Sequence, residues 1–315
     1  MNADIVAASA LVGLLVGMTG AGGGALMTPM LVLLFSIKPS SAISSDLLAA
    51  VLMRPFGAAV HLRQGTVNLA LVGWMAAGSV PAAFFGAYLL HLFGGTRVAE
   101  HNVEIALGAA LLLGSGAMVA RSVLDQRGTD LRPRTAVNAV RTRPLATVGI
   151  GALGGLVVGM TSVGAGSLMI VLLMFCYPAL EARQLVGTDL TQAVPLSASA
   201  ALGALVFGHV VLPLTAAIIV GSVPAVLVGS WLSATVPDRW VRPVITAVIS
   251  VSGLKYVGVS STQLRWVVAL VPVLVVGHWA LSRRAMAVSR RAATSGIPID
   301  EGLPARPGPQ APSAD

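Results

Sequence analysis

Arg54 stands within an apolar run, Ala42–Leu62, with at least eight residues of that run on either side of it. An arginine at the centre of a bilayer costs about 2.5–3.5 kcal/mol on insertion scales, so it must face a cavity or a partner. Its planar fork suits a bidentate grip on an oxyanion; the alternative is a structural pair with a carboxylate. Two carboxylates, Asp46 and Asp189, occupy matching places in apolar segments, each just after a Ser or Thr at the start of its segment. The ordinary reading of that placement is helix capping or first-turn dipole stabilisation. The alternatives are proton carriage or pairing with Arg54. Gln192 follows Asp189 by three residues, on the same helical face, and can donate hydrogen bonds inward.

Two glycine clusters carry the other candidate chemistry: Thr19-Gly20-Ala-Gly22-Gly23-Gly24 and Thr161-Ser162-Val-Gly164-Ala-Gly166. Isolated glycines in apolar segments usually serve close helix packing. These interrupt helices at equivalent sites with hydroxyls beside them, and a helix starting after each cluster offers free N–H groups and a positive dipole to an anion. A small anionic substrate bound around Thr19, Gly20, Gly22, Gly23, Gly24, Arg54, Thr161, Ser162, Gly164, Gly166 and Gln192 is the expected site. His61 and His209 lie near segment ends, where an interfacial position explains them better than proton relay. No cofactor or metal site is expected, and the single cysteine, Cys176, excludes an internal disulfide or a thiolate cluster.

The clusters belong to a duplication. Gly13–Leu31 recurs 142 positions later as Gly155–Leu173, with 11 of 19 positions identical. At an offset of 143, Ser45-Asp46-Leu47 then matches Thr188-Asp189-Leu190, and Gly78-Ser-Val-Pro-Ala82 matches Gly221-Ser-Val-Pro-Ala225. Repeats with glycine-interrupted apolar segments at corresponding positions point to a transporter's binding site.

The chain is 56% hydrophobic and 10% charged, with a mean hydropathy of +0.86. A soluble domain would carry about 25% charged residues, so the bilayer is the first partner expected. The net charge of +8 comes from arginines in loops and the tail, which reads as topology determination rather than nucleic-acid binding. The expected organisation is a first transmembrane repeat over 1–120, a basic cytoplasmic loop over 121–143, and a second repeat over 144–258. An additional helix over 259–282 and a disordered basic, then Pro/Ala-rich, tail over 283–315 complete it.

The first segment of each repeat has an awkward length. A continuous Ile5–Ile37 helix would run about 50 Å against a core of about 30 Å, yet its halves, Ile5–Thr19 and Ala25–Ile37, each fall short of the roughly 20 residues of a span. A re-entrant hairpin or a broken span fits. Charge counting prefers hairpins: only then do the arginine loop and the arginine tail share a side, with Arg63, Arg183, Arg239 and Arg242, leaving Lys38, Arg97, Lys255 and Arg265 elsewhere. Each repeat then crosses three times and the copies are inverted. The fold class expected is an all-α polytopic membrane bundle of two homologous repeats, each opening with a glycine-broken helix or hairpin.

The Gly-Met-Thr-Gly-Ala-Gly-Gly-Gly run, its second copy, the Ser/Thr-Asp-Leu step and the Gly-Ser-Val-Pro segment resemble the TauE/SafE sulfite-exporter family over about residues 5–258. The resemblance implies a permease of the bacterial inner membrane with a sulfur-containing anion, such as sulfite or an organosulfonate, as substrate. Ser162, Val163 and Ala165 depart from the glycine-rich pattern in the second copy, so the two half-sites are not equivalent. A secondary transporter is the leading reading. An anion channel is the first alternative; an intramembrane hydrolase using Ser162 or Ser167 with His209 is the weaker one, since neither serine sits in a Gly-x-Ser-x-Gly context. No Gly-x4-Gly-Lys-Ser/Thr loop is present to bind a nucleotide. A homo-oligomer is left open.

Overall fold

The computed structural model describes residues 3–19, 23–93, 97–128, 142–164, 168–177, 180, 182–208, 210–232 and 238–259, with main chain only at 19, 93, 97–99, 121–128, 182–183 and 238–243. The expected additional helix over 259–282, the tail beyond it, and loop residues 129–141 lie outside the described residues. Every element among those described is a helix: α1 (Ala3–Thr19), α2 (Gly24–Phe35), α3 (Pro39–Arg63), α4 (Leu69–Phe93), α5 (Arg97–Gly128), α6 (Pro144–Thr161), α7 (Leu168–Cys176), α8 (Ala182–Phe207), α9 (Leu212–Leu232) and α10 (Asp238–Tyr256). Six of these, α3, α4, α5, α6, α8 and α9, are long and apolar enough to cross a membrane. Prolines at the first helical position start α3 and α6, where the missing N–H costs nothing.

The structure differs from the sequence reading at one boundary. Helix α5 continues to Gly128, so the basic connection begins as helix and not at Arg121. Helix α10 carries Arg239 and Arg242 near its start and Lys255 near its end.

Glycines set the main packing. Helix α1 lies along α9 and α6 along α4, with each pair close enough that main chain meets main chain. A Cβ on Gly13 would sit 2.5 Å from the Ser222 carbonyl oxygen, and one on Gly155 would sit 2.4 Å from that of Ser79. A Cβ on Gly17 would likewise collide with the Val226 carbonyl oxygen, and one on Gly159 with that of Ala83. In the other direction Gly221 approaches Val6 and Gly78 approaches Val148, while Gly229 approaches Leu14 and Gly86 approaches Leu156. Each contact maps onto its counterpart by the sequence offset. Close approach of this kind is what small residues permit between membrane helices.

The register of contacts fixes the directions. Gly13–Ser222 and Gly17–Val226 ascend together, so α1 and α9 are parallel; Met75–Gly151, Ser79–Gly155 and Ala83–Gly159 make α4 and α6 parallel. Ser79–Gln192, Val80–Ser199 and Phe84–Gly203 make α4 parallel to α8. Arg54–Ala193, Gly57–Leu190 and His61–Gly187 descend, so α3 opposes α8. Helices α6 and α8 therefore point the same way with α7 between them, which requires α7 to return. Val211, just ahead of α9, meets Ser45 near the start of α3, so α9 and α1 both follow α3, and α2 is likewise a return segment. Each broken segment folds back on itself, and α1 opposes α6 as α3 opposes α8, so the two copies run in opposite directions. Arg63, Arg143, Arg183, Arg239 and Arg242 then lie at one end of the bundle, with Lys38, Arg97 and Lys255 at the other. Two apolar cores fill the bundle, and each draws side chains from both repeats: Ile43 and Leu47 with Leu173 and Leu185 in one, Met27 and Leu31 with Ile218 and Ile245 in the other.

Candidate functional site

Helices α3 and α8 cross antiparallel in the interior and bring together the described charged side chains that are buried there: Asp46 is 1% exposed, Asp189 0% and Arg54 8%. Asp46 gathers three parts of the chain. Its Oδ2 accepts a 2.7 Å hydrogen bond from Ser162 Oγ and a 3.2 Å bond from Thr28 Oγ1. Its Oδ1 accepts no hydrogen bond from the described residues. Ser162 reaches Asp46 because the chain breaks at the end of α6: Ser162 adopts a left-handed conformation at φ 58° and Gly164 lies at φ 112°. Thr28 comes from α2, whose first residue, Gly24, packs directly on Ser162.

Asp46 and Asp189 do not cap their helices. Helix α3 begins at Pro39 and α8 at Ala182, so each aspartate sits about two turns inside. The preceding hydroxyl residues have the terminal role instead, and across the repeats. Thr188 Oγ1 accepts from Asn68 N ahead of α4 at 3.1 Å, and Ser45 Oγ accepts from Val211 N ahead of α9 at 3.5 Å. The start of α3 is itself held from outside: Ser40 donates through Oγ and N to the Glu100 carboxylate at 2.6 and 3.4 Å. A carboxylate there also complements the positive end of the α3 dipole.

Arg54 lies two turns beyond Asp46, and its Nη1 donates to the Ala193 carbonyl at 3.2 Å. Asp189 is one turn from Ala193, and the guanidinium feels the field of both aspartates. Among the described residues no carboxylate lies within ion-pair distance of it. Gln192 donates through Nε2 to Ser79 Oγ. The polar interior is one-sided: Ser197, the counterpart of Arg54, bonds to Val194 of its own helix at 2.9 Å. Gly20, Ile170 and Ala49 stand where symmetry would repeat Ser162, Thr28 and Gln192.

The model of the family "Sulfite exporter TauE/SafE" matches residues 5–256. The chain belongs to the TauE/SafE family. It is 38% identical over 261 residues to "Probable membrane transporter protein YjnA" of Bacillus subtilis (strain 168), a match covering 82% of this chain and 100% of that protein. It is 26% identical over 250 residues to "Probable membrane transporter protein YdhB" of the same organism, covering 78% of this chain and 95% of that one. No solved structure matches. This TauE/SafE chain is a multi-pass membrane transporter and not an enzyme. Ser162 donates to Asp46; Ser167 and His209 lie outside the described residues.

The structure brings together some of the residues singled out from sequence. Arg54, Asp46, Asp189 and Gln192 converge on α3 and α8, with Ser162 and Gly24 at the meeting of the breaks. Gly20, Gly22 and Gly166 lie outside the described residues, as does the side chain of Thr19. Gly23 takes right-handed angles, φ −54° and ψ −37°, and its carbonyl opens α2 by accepting from Leu26 N and Met27 N at 3.1 and 2.9 Å. Thr161 turns its hydroxyl to the Val157 carbonyl at 2.6 Å, within its own helix. His61 bonds Thr66 at 3.0 Å near the end of α3. Thr28, Ser79 and the Glu100–Ser40 clasp were not anticipated. Thr28 had a signal: it is a hydroxyl whose repeat counterpart is isoleucine. Beside the C-terminal end of α6 an apolar cavity of about 250 Å³ is lined by Leu90, Asn102, Val103, Ala106 and Met160.

Proposed function

We propose that this protein carries a small anion, a sulfur oxyanion or organosulfonate, across the bacterial cytoplasmic membrane by alternating access. The observation that carries the reading is Arg54, a buried guanidinium without a described ion-pair partner, set on the α3–α8 crossing two turns from the Asp46 that gathers the two broken segments. An oxyanion offers this guanidinium the planar, bidentate match that arginine prefers and that a single backbone carbonyl does not fill. The sulfur chemistry rests on the family's description. Alternating access suits the packing: α1 with α9 and α4 with α6 form two main-chain-tight pairs, each holding one helix from each repeat, which move as units against the α3–α8 contact. The arginine-rich end of the bundle is the cytoplasmic one by charge distribution.

Counterflow in proteoliposomes tests the reading, with sulfite, thiosulfate, methanesulfonate and acetate as counter-substrates. Saturable exchange of the sulfur anions over acetate is expected. Exchange of none of them, or of acetate equally well, counts against it.

A further inference from the structure

Asp46 stands at the negative end of a helix. Ser162, which donates to Asp46 Oδ2 at 2.7 Å, is the C-terminal cap of α6. The helix closes with Ser162 N on Val158 O, and the carbonyls of Gly159, Met160 and Thr161 accept no backbone hydrogen bond from the described residues. Ser162 at φ 58° and Gly164 at φ 112° turn the chain away from them. Helix α2 begins at the same seam, yet none of its N–H groups bonds those carbonyls or Asp46 Oδ1. Thr28, Asp46 and Ser162 are each more than nine-tenths buried. Buried acceptors without donors keep their desolvation cost, and several together, one of them charged, call for a shared positive partner. Helix C-termini favour cations in the same way.

No described side chain fills that role. Arg54 spends Nη1 on the Ala193 carbonyl and lies outside ion-pair distance of Asp46. Lys38, two turns before Asp46, is exposed; His61 stands four turns beyond it along α3, and Arg183 belongs to the arginine-rich end. Asp189 has an interaction of its own and takes no part.

We infer that Asp46, Ser162, Thr28 and the end of α6 form a binding site for a hard monovalent cation, with sodium as its probe. Ser162 and Thr28 each give their one hydroxyl proton to Oδ2, which leaves their lone pairs and Oδ1 to face a metal. Carboxylate, hydroxyl and carbonyl oxygens are the ligands that hard cations take. One carboxylate among neutral oxygens suits a single positive charge, and among the described residues no three His, Cys, Asp or Glu side chains stand together for a divalent ion. Secondary carriers take coupling cations at the C-terminal ends of broken helices. The ligands come from α2, α3 and the break after α6, so the site is remade when the repeats move against each other. It exists once only, because glycine and isoleucine stand at the positions equivalent to Ser162 and Thr28. The site does not need the anion reading above; where that reading holds, the cation is the carrier's coupling ion.

Thermal unfolding of the full-length protein in detergent, at fixed pH and with no sulfur anion, tests this. Sodium chloride should raise the unfolding temperature saturably over choline chloride at equal ionic strength. Asp46→Asn should abolish that rise. Thr28→Val and Ser162→Ala each delete one hydroxyl ligand and should raise the sodium midpoint by about tenfold or more. Equal unfolding temperatures in sodium and choline overturn the proposal, and so does stabilisation that follows acidification but not sodium. A sodium midpoint unchanged in both hydroxyl variants overturns the assignment, and these two variants decide it if Asp46→Asn does not fold. Sodium stabilisation without exchange of any sulfur anion leaves the cation site standing and removes the anion reading. Anion exchange without sodium stabilisation does the reverse.

Discussion

Gly24 and Ser162 touch main chain to main chain: a Cβ on Gly24 would lie 1.8 Å from the Ser162 carbonyl oxygen and 2.7 Å from its Oγ. The glycine break of the first repeat is thus seated on the break of the second, and the serine at that seat holds Asp46. Gly164 is needed for its positive φ, whereas Gly24 is needed for closeness.

Gly24→Ala should therefore be among the most damaging single-methyl changes in the protein. The colliding atoms are backbone and cannot rotate away, so a loss of at least about 2 kcal/mol and of transport is expected. Gly149→Ala is the control, because nothing lies within 4 Å of its Cβ direction and alanine already stands at the equivalent position, Ala7. It should be neutral or stabilising by up to about 1 kcal/mol. Thermal unfolding in detergent reads both; equal unfolding temperatures would remove the contact from consideration.

Ser162 combines a hydroxyl contact and a backbone demand, and two substitutions separate them. Ser162→Ala deletes the donor to Asp46 and keeps a side chain in the left-handed region. Ser162→Gly deletes the donor but frees the backbone. Both should lose stability by about 1–3 kcal/mol through the buried carboxylate, with the glycine variant about 1 kcal/mol the better. Indistinguishable stabilities would show that φ 58° carries no cost here.

Much of this was readable in the residues, for a physical reason. The duplication shows because paired glycines on α1, α4, α6 and α9 each meet a partner's main chain, and no larger side chain fits. Arg54 shows because a charge in an apolar run is expensive wherever it lies. The ordinary capping reading of Asp46 and Asp189 gives way, with proton carriage and pairing left open, because local sequence does not reveal that each helix starts two turns earlier, at Pro39 and Ala182. The pairing of α1 with α9 and of α4 with α6 was not readable, since a small-residue face states how closely a neighbour comes but not which neighbour it is.

Topology gives the next prediction. In a Cys176→Ser background, Lys38→Cys and Arg143→Cys sit at opposite ends of the bundle. An impermeant thiol reagent applied to intact cells should label the first and spare the second, placing the arginine-rich end inside. A cysteine introduced after Ser282 should be spared as well. Labelling at Arg143→Cys would reverse the orientation, and labelling at both would break the re-entrant arrangement.

Arg54 supports the most discriminating test. Its described bond is to a carbonyl, Ala193, so losing it does not strand a buried carboxylate within ion-pair distance. Arg54→Gln should keep the fold, because removing a buried cation also removes its desolvation cost. It should abolish the thermal stabilisation that thiosulfate or methanesulfonate gives the wild type. Arg54→Lys retains charge without the planar fork, so affinity should fall by about tenfold or more, and preference for sulfonate over carboxylate should narrow. A structural pairing role predicts the opposite pattern. Arg54→Gln would then unfold more easily, and Asp46→Asn or Asp189→Asn in the same chain would restore stability. Unfolding temperatures of the single and double variants, each with and without the two anions, separate these patterns. Anion-induced stabilisation that survives in Arg54→Gln would end the claim that this guanidinium holds the substrate.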